Sequence, residues 1–353
     1  VPYLIGAALS VYGFFMRRGL DETPAFEANA KLMANRSIGS ILAAVARYPK
    51  ETLIVFVMQM NGVLYYLWLI FLPTYANMIG GLSRSEGFAG HTWYFGGEAD
   101  GEVNLRRKVR EMVKQGADFI KVMGSGGGTV NTLSWRASYT REEMAALADE
   151  AHALDKKIAV HCLCADSIEY AVDAGVDQIE HAGFLIDGKG HQKFDPRVAE
   201  KLAKSGIPVT GTLAVAGSAV NAMLAKDKLT PEEEAFLSRW QNLLKDNIEQ
   251  FSKLREAGVR LVAGTDAGWR FTPFDGLPLE MELMHRGGMS TLEALTAGTG
   301  FAAKVIGIDQ EVGTLTAGLA ADIIVVKGNP LDDLGALRNL QLVMQAGEIH
   351  RSA

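Results

Sequence analysis

The sequence predicts an α/β fold, an incomplete (β/α)8 barrel of the TIM type, preceded by one to two transmembrane-type helices. Three observations carry this expectation. From Gly90 onward, short β-branched runs alternate with amphipathic helical patterns. Four of those helical patterns are followed by Gly116, Gly175, Gly206 and Gly258, the residue type that most readily closes a helix. Between Glu51 and Arg84 there is no charged residue, a gap of 32 positions.

Taken in chain order, Tyr3–Phe15 is an apolar run too short to span a bilayer alone. Residues 16–51 form a polar, net basic loop with Arg17, Arg18, Lys31, Arg36, Arg47 and Lys50. Residues 52–78 read as a second helix, whose apolar core from Leu53 to Leu72 supplies the ~20 residues that cross a bilayer. Tyr65, Tyr66, Trp68 and Tyr75 suit interfacial anchoring. The positive-inside rule places the basic loop in the cytoplasm. A buried helix of a water-soluble protein is the alternative for the second run.

Strands are expected at Asp118–Met123, Lys157–His161, Gln178–His181, Pro208–Thr210 and Val259–Asp266. Helices are expected at Val103–Gln115, Arg141–Leu154, Ser167–Ala174, Asp195–Ser205 and Glu232–Ala257. Strands separated by helices imply parallel βαβ units. No GxGxxG follows the first strand, so a dinucleotide-binding sheet is not indicated. Five strands of the expected eight are present.

Composition narrows the function classes. The net charge is −6, which leaves no nucleic-acid footprint. Cys162 and Cys164 flank Leu163, and no distant cysteine exists to pair with either. A disulfide framework is not expected, and a reducing compartment follows. Hydrophobic residues make up 48% of the chain and mean hydropathy is slightly positive, the excess lying in the charge-free stretch.

Four expected strands end in a ligand-type residue: Lys121, His161, His181 and Asp266. Each has an ordinary explanation. A strand histidine is often a hydrogen-bonded structural residue, a lone lysine snorkels, and an aspartate caps the next helix. Lysine, histidine, histidine and aspartate on successive strands of one barrel form a pattern that those explanations do not supply.

This part of the chain resembles the amidohydrolase superfamily, in the branch of imidazolonepropionase-like hydrolases and Xaa-Pro and Xaa-Arg dipeptidases. The matching pieces are Gly96–Asp100, Ala117–Gly128, His161, Glu180–Ala182, Gly264–Gly268, Gly288–Ala294 and Gly313–Asp322. The resemblance implies a barrel over residues 89–310, holding strands four to eight. It also implies part of a small β-sandwich over 311–353. It implies metal-dependent hydrolysis of a C–N bond in a small amide, cyclic amide or peptide substrate. Lys121 would be carboxylated by carbon dioxide, and would bind zinc, as one or two divalent ions, with His161, His181 and Asp266. Asp266 would also be catalytic, taking a proton during attack on the carbonyl and passing it to the leaving amine. Gly126 and Gly127 would lie in a loop near the substrate, and Trp269 would line the pocket.

The sequence departs from the family at its start. The strand-one His-x-His pair is absent, since no two of the seven histidines have that spacing. His91 lies in the wrong context to supply it, just before the Gly96–Asp100 segment. One metal rather than two is therefore expected. Residues 1–88 instead resemble metabolite:proton symporters of the major facilitator superfamily, through Arg17–Phe26, Leu72–Tyr75 and Gly81–Ser83. Membrane association is expected if that segment is genuine, and a cytoplasmic location otherwise. Homo-oligomers are possible. A non-functional joined or truncated product, or a transporter fragment, is the alternative to a hydrolase.

Overall fold

A computed structural model describes residues 91, 97–129, 132–268 and 271–352. The expected helices at 1–15 and 52–78, the junction near residues 83–90 and Trp269 lie outside the described residues. Among the described residues, no helix is long and apolar enough to cross a membrane.

Helix α1 (Glu102–Lys114) leads into strand β1 (Phe119–Met123), and the unit then repeats. It continues as α2 (Arg141–Ala153), β2 (Lys157–His161), α3 (Ala165–Ala174), β3 (Gln178–Glu180), α4 (Pro196–Ser205) and β4 (Val209–Thr210). Two helices, α5 (Ala214–Leu224) and α6 (Pro231–Glu256), precede β5 (Leu261–Val262). Helices α7 (Leu277–Arg286), α8 (Thr291–Ala297) and α9 (Gly300–Ile306) follow. The five strands are parallel and pair in chain order, β1 to β5. A separate antiparallel sheet is formed by β6 (Ile323–Val326), β7 (Leu340–Gln345) and β8 (Glu348–Ser352).

Strand alternation divides the parallel sheet into two chemically distinct faces. Ile120, Val122, Ile158, Val160, Ile179, Val209 and Leu261 are buried, and belong to one core with Val109, Met144, Ile168 and Leu202 of the helices. Complete burial of Ile158 or Ile179 stabilises the fold by about 1.5–3 kcal/mol each. The alternate residues Lys121, His161, Gln178, Glu180 and Thr210 occupy the other face. The register aligns His161 with Glu180 and Glu180 with Thr210.

Helix starts follow local chemistry. Thr140 with Glu143, Thr230 with Glu233 and Ser290 with Glu293 form capping boxes on α2, α6 and α8. Asp195 caps α4 by accepting the Arg197 and Val198 N–H groups. The expected strand ending at Asp266 stops at Val262. There the Ala263 N–H turns away to donate to the Ala297 carbonyl, so the ladder loses its next rung. The expected strand ending at His181 stops at Glu180, because His181 has a φ of 70°.

Candidate active site at the strand ends

Among the described residues, six non-glycine residues take positive φ, and four of them, His181, Ala182, Thr212 and Asp266, follow the C-terminal ends of β3, β4 and β5. Such conformations cost roughly 1–3 kcal/mol each for ordinary side chains and persist only where surrounding contacts enforce them. The strain is concentrated just past the C-terminal ends of the strands.

His161 ends β2 and is buried. Its Nε2 donates to the Gly126 carbonyl at 3.1 Å, so Nδ1 carries the lone pair. His181 lies edge-on to it, with ring centroids 4.6 Å apart. The Nδ1 of His181 is 2.7 Å from the Thr212 hydroxyl, which leaves Nε2 unengaged by that bond. His91 also packs on His161, again with centroids 4.6 Å apart, and its Nδ1 meets the Thr129 hydroxyl at 2.8 Å. Burial, then neighbouring cationic and imidazole groups, hold all three rings neutral. His91 falls to about 4, His181 to about 3 and His161 well below its ordinary value.

Lys121 stands mid-strand on the same face as His161 and Glu180, with its Nζ 3.9 Å from Glu180 Oε1 and its side chain a third exposed. Partial burial lowers its pKa, opposed by the charges of Glu180 and Asp266. Burial raises Glu180 and Asp266, with Lys121 pulling both back. A cavity of about 240 Å³ is lined by Lys121, Glu180, His181, Thr212 and Asp266 together with residues of α9.

The structure thus gathers Lys121, His161, His181 and Asp266 around one end of the sheet. Gly126 meets His161 through its carbonyl, and Gly127 lies against the His91 ring. A Cβ on Gly126 would come within 2.4 Å of the Leu133 backbone, and one on Gly127 within 2.7 Å of the His91 ring. Both positions need glycine for close packing. His91, Glu180 and Thr212 are members of the site that their sequence contexts did not single out. For His91 the signal is a ring contact 70 positions away in the chain, which no local pattern carries. Glu180 and Thr212 announced themselves only weakly, by standing next to or shortly after a strand end.

The amidohydrolase family profile matches residues 38–351. The chain belongs to this family. Its matched span begins inside the segment that resembles a transporter. The chain is 30% identical over 241 residues to ochratoxinase of Aspergillus niger, covering 67% of this chain and 46% of that protein. The crystal structure of that ochratoxinase superposes with a TM-score of 0.58 at 28% identity, over 72% of this chain and 55% of that one. A Xaa-Pro dipeptidase with methionine bound in its active site gives a TM-score of 0.60 at 28% identity, over 72% of this chain and 59% of that one. The chain therefore spans about half the length of the curated relative it matches. A further similarity, 30% over 80 residues, links 22% of this chain to 17% of a putative proline/betaine transporter of Staphylococcus aureus.

Amidohydrolase family members generally bind divalent metal ions, and the donors here fit such an ion in kind. Neutral imidazoles with oriented ring nitrogens are suitable ligands. In number they fall short. Among the described residues, no group of three or more His, Cys, Asp and Glu side chains is arranged to hold an ion. To hold an ion, His161, His181 and Asp266 would have to draw together with a donor made from Lys121.

Proposed function

We propose that this chain is a metal-dependent hydrolase of amide bonds in small amides, cyclic amides or dipeptides. The observation that carries the reading is the convergence of Lys121, His161, His181 and Asp266 on one face of the parallel sheet, toward its C-terminal end. Likeness to an ochratoxinase and to a Xaa-Pro dipeptidase supports it. The five strands then correspond to strands four to eight of a barrel, and β6–β8 to part of a small sandwich.

His161, His181, Asp266 and a Lys121 carboxylated by carbon dioxide would hold one zinc ion. When bound, such an ion polarises the scissile carbonyl and makes a nucleophile available at neutral pH. The residues themselves supply the rest. The lowered pKa of Lys121 favours the free amine that carbon dioxide needs, while Glu180 beside it favours the ammonium. The Gly126 carbonyl and the Thr212 hydroxyl fix the two imidazoles. Asp266 lines the cavity with a raised pKa, suited to take a proton from attacking water and return it to the departing amine. Gly126, Gly127 and Trp269 would border the substrate.

The test uses the full chain with zinc and bicarbonate against a panel of Xaa-Pro dipeptides and N-acyl amino acids, following amine release. Turnover is expected, with Asp266→Asn and Lys121→Ala lowering it by roughly 10³-fold or more. Equal turnover in parent and variants overturns the assignment. Metal analysis should find one equivalent of zinc per chain, and two would contradict the one-ion reading. The similarity to a proline/betaine transporter favours a second reading, in which the N-terminal segment is a transporter fragment that binds membrane or the joined chain is inactive. Co-sedimentation with lipid vesicles, lost on deletion of residues 1–88, would support the membrane arm of that reading.

A further inference from the structure

Glu280 is a buried carboxyl that the proposed chemistry leaves unused. It lies on α7, fully shielded from solvent, beside the buried Met281, Leu283 and Met284. Its Oε2 accepts the Ala214 N–H at 2.5 Å, and its Oε1 has no hydrogen-bond partner. Ala214 is the first residue of α5, whose own N-cap residue, Leu213, offers no side-chain cap. A carboxyl from another helix therefore performs the task of an N-cap, with the helix dipole in its favour. Burying such a group with one oxygen unpaired is unfavourable, and core packing alone would be better served by an apolar residue.

The turn that Glu280 holds is the turn that carries Thr212. Between the end of β4 and Ala214, Thr212 takes a φ of 49°, an unfavourable value for a β-branched side chain. Such a turn needs outside support to persist. The Thr212 hydroxyl reaches the Nδ1 of His181, and the His181 N–H donates to the Thr210 carbonyl at 2.7 Å. One buried carboxyl, one strained turn and one site imidazole are thus linked in series. We propose that Glu280 is a positioning residue: by holding the Ala214 N–H it fixes the Thr212 turn, and through Thr212 the ring orientation and tautomer of His181. The turnover arm of the test rests on the hydrolase reading, and the spectroscopic arm does not.

Glu280→Met fills the space without an acceptor, whereas Glu280→Gln keeps an oxygen that can take the Ala214 N–H. These variants, Thr212→Val and the double variant Glu280→Met/Thr212→Val are compared as full chains. Histidine nitrogen NMR follows the tautomer of His181, and dipeptide hydrolysis with zinc follows turnover. Glu280→Met should shift the His181 ring signals and lower kcat by about tenfold to hundredfold with KM within about threefold. Glu280→Gln should restore most of both. The double variant should be no worse than Thr212→Val, because the two act through one path. A parent-like His181 spectrum in folded Glu280→Met, or additive losses, would overturn the proposal. If Glu280→Met does not fold, the cycle is run with Glu280→Gln. A smaller, non-additive shift then supports the proposal and an additive one overturns it. If the parent shows no turnover, the hydrolase reading fails while the His181 spectrum still decides the role of Glu280.

Discussion

Gly264 lies between β5 and Asp266, and a side chain there has nowhere to go. A Cβ added at this position would stand 2.5 Å from Thr210 Cγ2. Ordinary carbon–carbon contacts sit near 3.5–4.0 Å, so the overlap is about 1 Å or more. Thr210 is buried, and its hydroxyl is held by Gln178 Nε2 at 2.7 Å. The Thr210–Val262 pairing fixes both backbones. Gly264→Ala must therefore shift either Thr210 or the segment leading to Asp266. Overpacking of this kind costs about 1–3 kcal/mol. In a chain of this size that corresponds to a fall in Tm of roughly 1–4 °C. Turnover should suffer more, because Asp266 is two residues away and a displacement of ~1 Å at a catalytic group is worth about 100-fold. Thermal melting and zinc-dependent dipeptide hydrolysis measure the two effects. Thr210→Ser removes the clashing methyl but keeps the hydroxyl, so Gly264→Ala/Thr210→Ser should recover most of both losses. A single variant that melts with the parent, or a double variant as unstable as the sum of the singles, would refute the reasoning.

Acid should destabilise the protein through its neutral imidazoles. The unfolded chain takes up protons near the ordinary value of 6.5, whereas folded His181 does so only at about 3, so stability falls as pH drops between those limits. The slope is at most ~1.4 kcal/mol per pH unit for each such histidine, less for the partly exposed His181. Urea unfolding at a series of pH values checks this, and His181→Asn should flatten the profile. Gly127→Ala places a methyl 2.7 Å from the His91 ring and should displace it from Thr129 and His161. A parent-like His91 line in the histidine NMR spectrum would reject that account. Asp195→Ala removes two capping bonds from α4 and should cost about 1 kcal/mol by urea unfolding while leaving turnover unchanged.

The parts of the fold that could be read in advance are those whose local pattern and tertiary role coincide. Strand β2 runs from Lys157 to His161, as its hydrophobic alternation implies, because one face meets the helices and the other meets the site. Helix α4 begins after Asp195 and ends before Gly206 for reasons written in those residues. Helix α5 was not visible, because Ala214, Ala216, Gly217, Ser218, Ala219 and Val220 are all buried and small residues on every side leave no amphipathic period. The site divides the same way. Lys121, His161 and His181 could be found by their places on or just after strands, whereas His91 joins them only through a ring contact across the fold. Glu280 sits in a run, Leu279-Glu-Met-Glu282, where two glutamates look alike. One is fully buried, while the other pairs with Arg338 at the surface.

The order of the parallel sheet has a kinetic consequence. Each strand after β1 pairs with the strand made immediately before it. Three of the four ladders close over a single helix, and the β4–β5 ladder closes over two, α5 and α6. Loop-closure entropy stays low at each step, and the sheet can grow from its N-terminal edge as the polypeptide emerges during synthesis.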